Sequence, residues 1–452
     1  MRRSTLLAAV FLAAAADLLP AAPASAQSLS EALALTYQTN PQIAAQREVV
    51  RQANEGVPQA LAGIRPNITA SGQAGYQYSY TQPGDSGDTI APWAVGVTVT
   101  QPLYTGGQTD ANLRQAESLI QQQRAALASI EQQVFLDAVA AYMDVVQNQA
   151  LLELQINNER VLERQLQAAR DRFDVGEVTR TDVSQAESRL AGATATRIQA
   201  AGSLRTARAT YEQVVGVPPG ALAAPAPLGM LPGTLDDAVD MAVANNPAVV
   251  SAVFGQRAAE AGIDSAESDL MPDVTLQGSA NYSRNVSSLV DSRTDVSITA
   301  QVSIPIYQGG LEASQVREAR YAAEEARIVI EDARRQAIEA TVTAWDNLTT
   351  SRAQITSVEA QVVAAQVALD GVTQEALVGS RTTLDVLDAE QELLDARVSL
   401  ITAQRNEVVA QYTLLAAIGN LSASALGLPV DVYNPDIDYE NTSTRWIGTS
   451  IP

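Results

Sequence analysis

Two short stretches decide the reading of this chain: Pro102-Leu103-Tyr104-Thr105-Gly106-Gly107 and Pro305-Ile306-Tyr307-Gln308-Gly309-Gly310. Each follows a run of alternating residues and opens a long stretch of helical periodicity. Proline ends ladder pairing. Paired glycines let the backbone adopt angles that other residues resist, so a strand can turn into a helix. Working outward, the segments around the two stretches match as well. Tyr76 pairs with Tyr282, Pro66 with Pro272, Gly56 with Gly262 and Asn40-Pro41 with Asn246-Pro247, all 206 residues apart. Beyond the junctions the offset is 203, pairing Val175-Gly176 with Val378-Gly379, Asp182 with Asp385 and Gly216 with Gly419. The chain is an internal duplication whose length change falls between the two strands of each copy. The copies span 27–216 and 234–419, with a Pro/Gly/Ala-rich linker at 217–233 and a tail at 420–452.

Before the junctions, Ile68, Ala70, Ala74, Tyr76, Tyr78 and Tyr80 alternate with Thr69, Ser71, Gln73, Gln77 and Ser79, reading as one strand over 67–80. Trp93, Val95, Val97 and Val99 alternate with Ala94, Gly96, Thr98 and Thr100, and the second copy repeats the pattern at 274–282 and 296–304. These define β-hairpins at about 67–104 and 273–307. A soluble antiparallel sheet would also alternate. The small, neutral polar face suits a water-filled lumen, and aromatics toward the loop end suit an interfacial girdle. Four strands cannot close a barrel. Two chains would give eight strands and an interior filled by side chains; three would give twelve and a lumen. A soluble sheet stays open on pattern alone, but a channel would prefer three chains, so the expected fold class is an α+β membrane protein whose four strands are part of a trimeric, twelve-stranded barrel.

After the junctions, Gln108 to Phe173 contains neither proline nor glycine and carries apolar residues at spacings of three and four. At 1.5 Å per residue this helix reaches about 100 Å. The second copy repeats it, and return helices follow Gly176 and Gly379, giving coiled-coil hairpins over about 108–216 and 311–419. Shorter helices at 29–39 and 235–245, each stopped by Asn-Pro, and at 41–63 and 247–269 are expected to brace the long ones from outside.

Composition narrows the function. The 452-residue chain has no cysteine, histidine or lysine, and a net charge of −22. The commonest metal ligands, general base and nucleophile are missing, no nucleophile–base pair stands out, and the acidity argues against nucleic acid. The expectation is a chain that is not an enzyme and uses no cofactor. Arg2, Arg3, the apolar run Leu6–Ala16 and Ala24-Ser25-Ala26 read as a signal peptide over 1–26. The remainder has no apolar stretch near 18 residues, so any membrane crossing is by β-barrel.

Together, the duplicated junctions, strands and hairpins resemble TolC-type outer-membrane efflux and secretion channels, over nearly all of Leu29 to Gly419. The resemblance implies a homotrimer in the outer membrane of a Gram-negative bacterium, in contact with its lipid. A twelve-strand barrel would stand over a twelve-helix periplasmic tunnel. A periplasmic adaptor and an inner-membrane ABC or RND transporter would dock at the far end, in efflux or type I secretion. It also implies roles at the hairpin tips. Val175, Gly176, Val378 and Gly379 would meet the adaptor. Asp385 and Asp388, three apart on one helical face, would line the narrow entrance, where the first copy has Gln185 in place of Asp388. Arg381 and Asp182 match positions that link neighbouring hairpins in the closed state, whereas Ala376 and Gln404 stand where the family has a tyrosine and an arginine. Helix capping is the competing role for Asp182 and Asp385. Two other readings of the whole chain are a secreted structural coiled coil and an autonomous porin. The tail from Leu428 onward, acidic and polar, reads as mobile.

Overall fold

A computed structural model describes residues 27–81, 86–225, 228–287 and 290–451; the signal-peptide reading lies outside them. The first copy comprises α1 (Leu29–Thr39), α2 (Pro41–Asn54), α3 (Gly56–Leu61), β1 (Asn67–Ala74), β2 (Gln77–Thr81), β3 (Ser86–Ile90), β4 (Trp93–Thr105), α4 (Gln108–Asp174) and α5 (Arg180–Val215). The second comprises α6 (Leu235–Asn245), α7 (Pro247–Ser268), β5 (Asp273–Ser287), β6 (Val290–Ser303), α8 (Leu311–Leu377) and α9 (Thr383–Ala417), and α10 (Pro435–Ser443) follows. The long helices α4 and α8 have 67 residues each.

The strands form one antiparallel sheet in the order β1-β4-β5-β6. The duplication is visible in its register: Ala70 faces Val97 in the first hairpin, and the equivalent Leu276 faces Ala300 in the second. The hairpins join through β4 and β5, with Val97 opposite Ala280. Along β4, Trp93, Val95, Val97 and Val99 are exposed while Ala94, Gly96, Thr98 and Thr100 are shaded, so the apolar row lies on the open, outward face and the small polar row on the opposite face.

One expectation fails here. The strand read over 67–80 is broken at Gly75–Tyr76, and β2 pairs with β3 as a separate two-stranded ribbon. Opposite the break lies Pro92, whose carbonyl accepts from the Gly75 N–H at 2.9 Å but which has no N–H to return. The hairpin ends also differ. β4 continues to Thr105 because β5 lies beside it, across an irregularity between Pro102 and Tyr104. In the second copy β6 stops at Ser303, and among the described residues no strand lies on its other side.

The helices form a layer in which α4 packs against α5 and α9 over one part of its length and against α2 and α7 over another. The segments 41–63 and 247–269 do pack along the long helices, as expected, but within this layer and not from outside it. There they extend the return helices. The Asn40 side-chain oxygen caps α2 by accepting from Gln42 N at 2.8 Å, while its amide donates to Val214 O at the end of α5 at 3.1 Å. Asn246 does the same between Ala248 N and Ala417 O, at 2.9 and 3.0 Å. One side chain thus satisfies an orphan donor of one helix and an orphan acceptor of another, splicing two helices into a composite that runs beside α4. The 41–63 helix is itself divided at Glu55, before Pro58, which has no N–H to donate to the Asn54 carbonyl.

The main core lies along the middle of α4, where Val134, Phe135, Ala138 and Tyr142 meet Leu33 and Tyr37 of α1, Tyr211 of α5 and Leu414, Leu415 and Leu421. The buried Tyr142 hydroxyl donates to Gln27 O at 2.8 Å or Ala223 O at 2.6 Å, tying the linker to α4. Burial pushes its pKa up to about 12.

The tail is folded, contrary to its reading as mobile. The α10 carboxylates meet arginines of the first copy: Asp438 with Arg51 at 2.9 Å and Asp436 with Arg124 at 2.7 Å. The Tyr433 N–H donates to the Tyr37 hydroxyl at 3.0 Å, and the Arg47 guanidinium lies over both rings.

Replacing Val97 with arginine puts a charge on the outward apolar row, where a midplane charge costs about 2–4 kcal/mol. Val97→Arg should reduce the yield of heat-resistant oligomer in the outer membrane, and Thr98→Arg on the opposite face should not. Semi-native electrophoresis of membrane extracts checks this.

Candidate channel entrance

The ends of α4 and α8 are built alike. Gly176 has φ 79° and Gly379 φ 81°, left-handed values that a side chain resists. Glu177 N donates to Arg172 O at 2.9 Å and Ser380 N to Glu375 O at 3.0 Å, closing the last turn of each helix. Thr179 and Thr382 then restart the chain as N-caps of α5 and α9. The apolar residues at these turns are bare: Val175 is 71% exposed and Val378 80%, with Leu377 beside it at 64%. Solvated apolar tips of this kind suit a partner surface.

Asp182 and Asp385 occupy equivalent places. The Asp182 carboxylate accepts from Thr179 N at 2.8 Å and from its hydroxyl at 2.7 Å; Asp385 accepts from Thr382 N and hydroxyl, both at 2.8 Å. Each completes a capping box, and these hydrogen bonds hold both carboxyls below the usual aspartate range, for Asp385 the backbone one foremost. Arg381 pairs with Glu375 of its own hairpin at 2.8 Å. Asp388 is exposed and pairs with Arg189 of α5 at 2.7 Å. The two aspartates share one face of α9 but differ in what they bind: a backbone cap for Asp385, an arginine of the other hairpin for Asp388.

Arg189 and Glu390 complete the site and are absent from the sequence reading. Glu390 accepts from Gln165 of α4 at 3.1 Å, and burial raises its pKa. Farther along, Arg405 pairs with Asp144 at 2.9 Å and Gln147 donates to the Thr402 hydroxyl at 3.2 Å. A ladder of polar contacts thus fastens α9 to the first hairpin. Nothing local marks these residues. Arg189 lies one heptad past Asp182, and its partner is 199 residues away in sequence.

The strand-to-helix junctions use the glycines at both ends. Gly106 and Gly107 have φ 65° and 93°, Gly309 and Gly310 φ 73° and 85°. A Cβ on Gly106 would lie 2.7 Å from Ser268 O and 2.8 Å from the Met271 Cβ, so the first junction is packed tightly against the end of α7. Around Gly309 there is open space, and Ile306 is 94% exposed. Pro102 still lies in the ladder opposite Thr275, whereas Pro305 falls just past the end of β6.

A four-stranded outward-apolar sheet continuous with helical hairpins of this length defines a protomer of an outer-membrane channel. The chain belongs to the outer membrane efflux protein family, which matches residues 32–217 and 238–420, one span per copy. It is 36% identical over 431 residues to outer membrane efflux protein BepC of Brucella suis biovar 1, covering 95% of this chain and 93% of the relative. It is 27% identical over 409 residues to outer membrane protein TolC of Vibrio cholerae, covering 88% and 92%. The crystal structure of the Campylobacter jejuni CmeC outer membrane channel shares the fold, with a TM-score of 0.78 over 92% of this chain and 89% of that one at 13% identity. The protein is an outer-membrane channel component and not an enzyme. The readings as a secreted coiled coil and as an autonomous porin give way to this membership. Among the described residues no helix is apolar enough to cross a membrane and no cluster of His, Cys, Asp or Glu is placed to hold a metal.

The depressed carboxyls set a pH dependence for the tips. A carboxyl whose pKa is lower folded than unfolded contributes stability above its unfolded value, near 3.8, and loses it as pH falls through the folded value. Backbone amides at Thr179–Val183 and Thr382–Val386 should therefore stay protected at neutral pH and lose protection below about pH 4, ahead of the α4 core. Hydrogen exchange resolved by peptide checks this, and Asp182→Asn with Asp385→Asn should abolish the acid-specific step.

Proposed function

We propose that the protein is the outer-membrane exit duct of a tripartite export system, assembled as a homotrimer and conducting cargo passively. The observation that carries this is the unfinished second junction. Under the duplication, Ser268 and Met271, which fill the space beside Gly106, correspond to Ala62 and Arg65. A second copy would bring those residues beside Gly309, and would lay its β1 along the free edge of β6 with Ala300 opposite Ala74. The flank of α8 is likewise bare, with Ile328, Val363 and Val367 exposed. Three such joints close twelve strands around a lumen.

In this reading Val175, Gly176, Val378 and Gly379 receive a periplasmic adaptor, which holds an inner-membrane transporter of the ABC or RND class. The exposed apolar turns, about 100 Å from the sheet along the helices, support that placement. Efflux is favoured over protein secretion by the name of the Brucella relative, the similarity to which spans almost the whole chain.

The same reading makes Asp385 and Asp388 the acidic lining of the entrance. In a trimer they supply two stacked rings, the second partly neutralised by Arg189. Arg381 and Asp182 lie where neighbouring tips meet. Linking to a neighbour requires Arg381 to release Glu375 and Asp182 to release the Thr179 cap. At about 4 Å, carboxylates repel by about 1 kcal/mol even in water, so a multivalent cation is held better than a monovalent one. Asp385→Ala with Asp388→Ala should lower cation selectivity and weaken block by a trivalent hexammine cation added on the periplasmic side of a planar bilayer. Unchanged selectivity and block would assign both aspartates to capping and pairing alone.

A further inference from the structure

The tail divides into two chemically different parts. Residues 431–440 carry Asp431, Asp436, Asp438 and Glu440, and dock on the arginines of α2 and α4 described above. Residues 444–451 contain no acid and read Thr-Arg-Trp-Ile-Gly-Thr-Ser-Ile. This last part does not continue along the duct wall. The Arg65 guanidinium, one residue before the proline that precedes β1, donates to Arg445 O at 2.8 Å and stacks on the Trp446 ring at 4.7 Å. Trp446 and Ile447 thereby share a groove with Asn67 and Ile68 at the start of β1.

That location is specific in depth and in face. β1 begins at the helical, periplasmic end of the sheet, so Asn67 marks the level at which the barrel enters the membrane. Ile68 belongs to the outward apolar row, opposite Val99. The tail therefore reaches the periplasmic water–lipid boundary on the lipid side of the barrel. There it presents Trp446 at 67% exposure and Ile447 at 92%, with Ile451 also bare. Burial in a protein core accounts for none of them. An aromatic ring with a polar edge, branched apolar side chains and two guanidinium groups match the composition of a membrane interface. Arginine forks suit phosphate oxygens, and the groove sets two arginines, Arg65 and Arg445, against one carboxylate, Glu55, in a chain of net charge −22.

We propose that residues 444–451 form an interfacial anchor that inserts Trp446, Ile447 and Ile451 among the phospholipids of the periplasmic leaflet of the outer membrane, with Arg65 and Arg445 at the phosphate level. The acidic part of the tail clamps the anchor to the duct, and the anchor continues the lipid-facing surface of β1. This rests only on the outer-membrane placement, and is independent of the adaptor, the transporter and the cargo.

The absence of cysteine allows a direct test in the full-length protein. Ile447→Cys, labelled with a nitroxide and reconstituted in phosphatidylethanolamine/phosphatidylglycerol vesicles, should collide with oxygen in preference to a water-soluble nickel chelate. Ile437→Cys on α10 should show the reverse. A second measurement leaves the segment unmodified: with Trp93→Phe and Trp345→Phe, the remaining Trp446 should emit at shorter wavelength in vesicles, and brominated acyl chains should quench it about twofold or more, as for an interfacial indole. Preferential collision with nickel at position 447, together with Trp446 emission insensitive to brominated lipid, would overturn the proposal. Protection from both collision partners would overturn it too, by showing that a second copy of the chain covers the segment. Export activity, measured in cells that carry the same variants, reports on the duct reading and leaves this inference unaffected.

Discussion

The sheet governs everything else in this molecule, because a backbone N–H or C=O in hydrocarbon has no water to bond. Each unsatisfied group there costs several kcal/mol. One protomer supplies four strands in the order β1-β4-β5-β6 and leaves an edge on each side. An open edge is a liability in water and untenable in lipid. The internal joint between β4 and β5 shows how these strands satisfy one another, with a continuous register and a packed Gly106. The outer edges carry the same residue types in the same order and lack only a partner.

The helical part solves a different problem. A helix of 67 residues gains little from propensity and needs a neighbour along its length. No single return helix is long enough: α5 has 36 residues and α9 35. The chain makes up the difference by splicing α2 onto α5 and α7 onto α9 through Asn40 and Asn246. The splice falls in the main core, where α1 and the segment after α9 pack across the joint. Gly216 and Gly419 end the return helices at left-handed φ values of 86° and 80°, and a Cβ on either would strike the neighbouring Thr39 side chain or Asn245 backbone. Breaks in the helices are thus concentrated where packing is densest. The tips, where packing is sparse, are held by capping boxes and exposed ion pairs, weak fastenings beside a packed core.

The periodic features were readable without a structure because they repeat. Alternation over ten residues, 3/4 spacing over sixty and a constant offset between copies each report one dominant contact surface. Local caps were readable for the same reason: Thr179-x-x-Asp182 and Thr382-x-x-Asp385 spell capping boxes. What escaped were interactions set by residues far apart. The break at Gly75 depends on Pro92 in the opposing segment. Asn-Pro signalled the end of a helix, but the bond from Asn40 to Val214 that joins two helices spans 174 positions. The tail's acidity suggested a solvated segment, and it is instead matched by Arg51 and Arg124, over 300 residues earlier. The partnership of Asp388 with Arg189 was hidden likewise, so one of the two aspartates on that face of α9 is already paired.

In the proposed assembly the joint inside one protomer is the template for the joint between protomers. Cysteines placed at Ala74 and Ala300 test it most directly, because directly opposed residues of antiparallel strands have Cβ atoms about 4.5–5.5 Å apart. In the assembled protein, a short bismaleimide should convert the double variant into covalent trimers on denaturing gels, and each single variant should remain monomeric. Cross-linking that stops at monomers, or that succeeds only when the register is moved by two or more residues, would contradict the account.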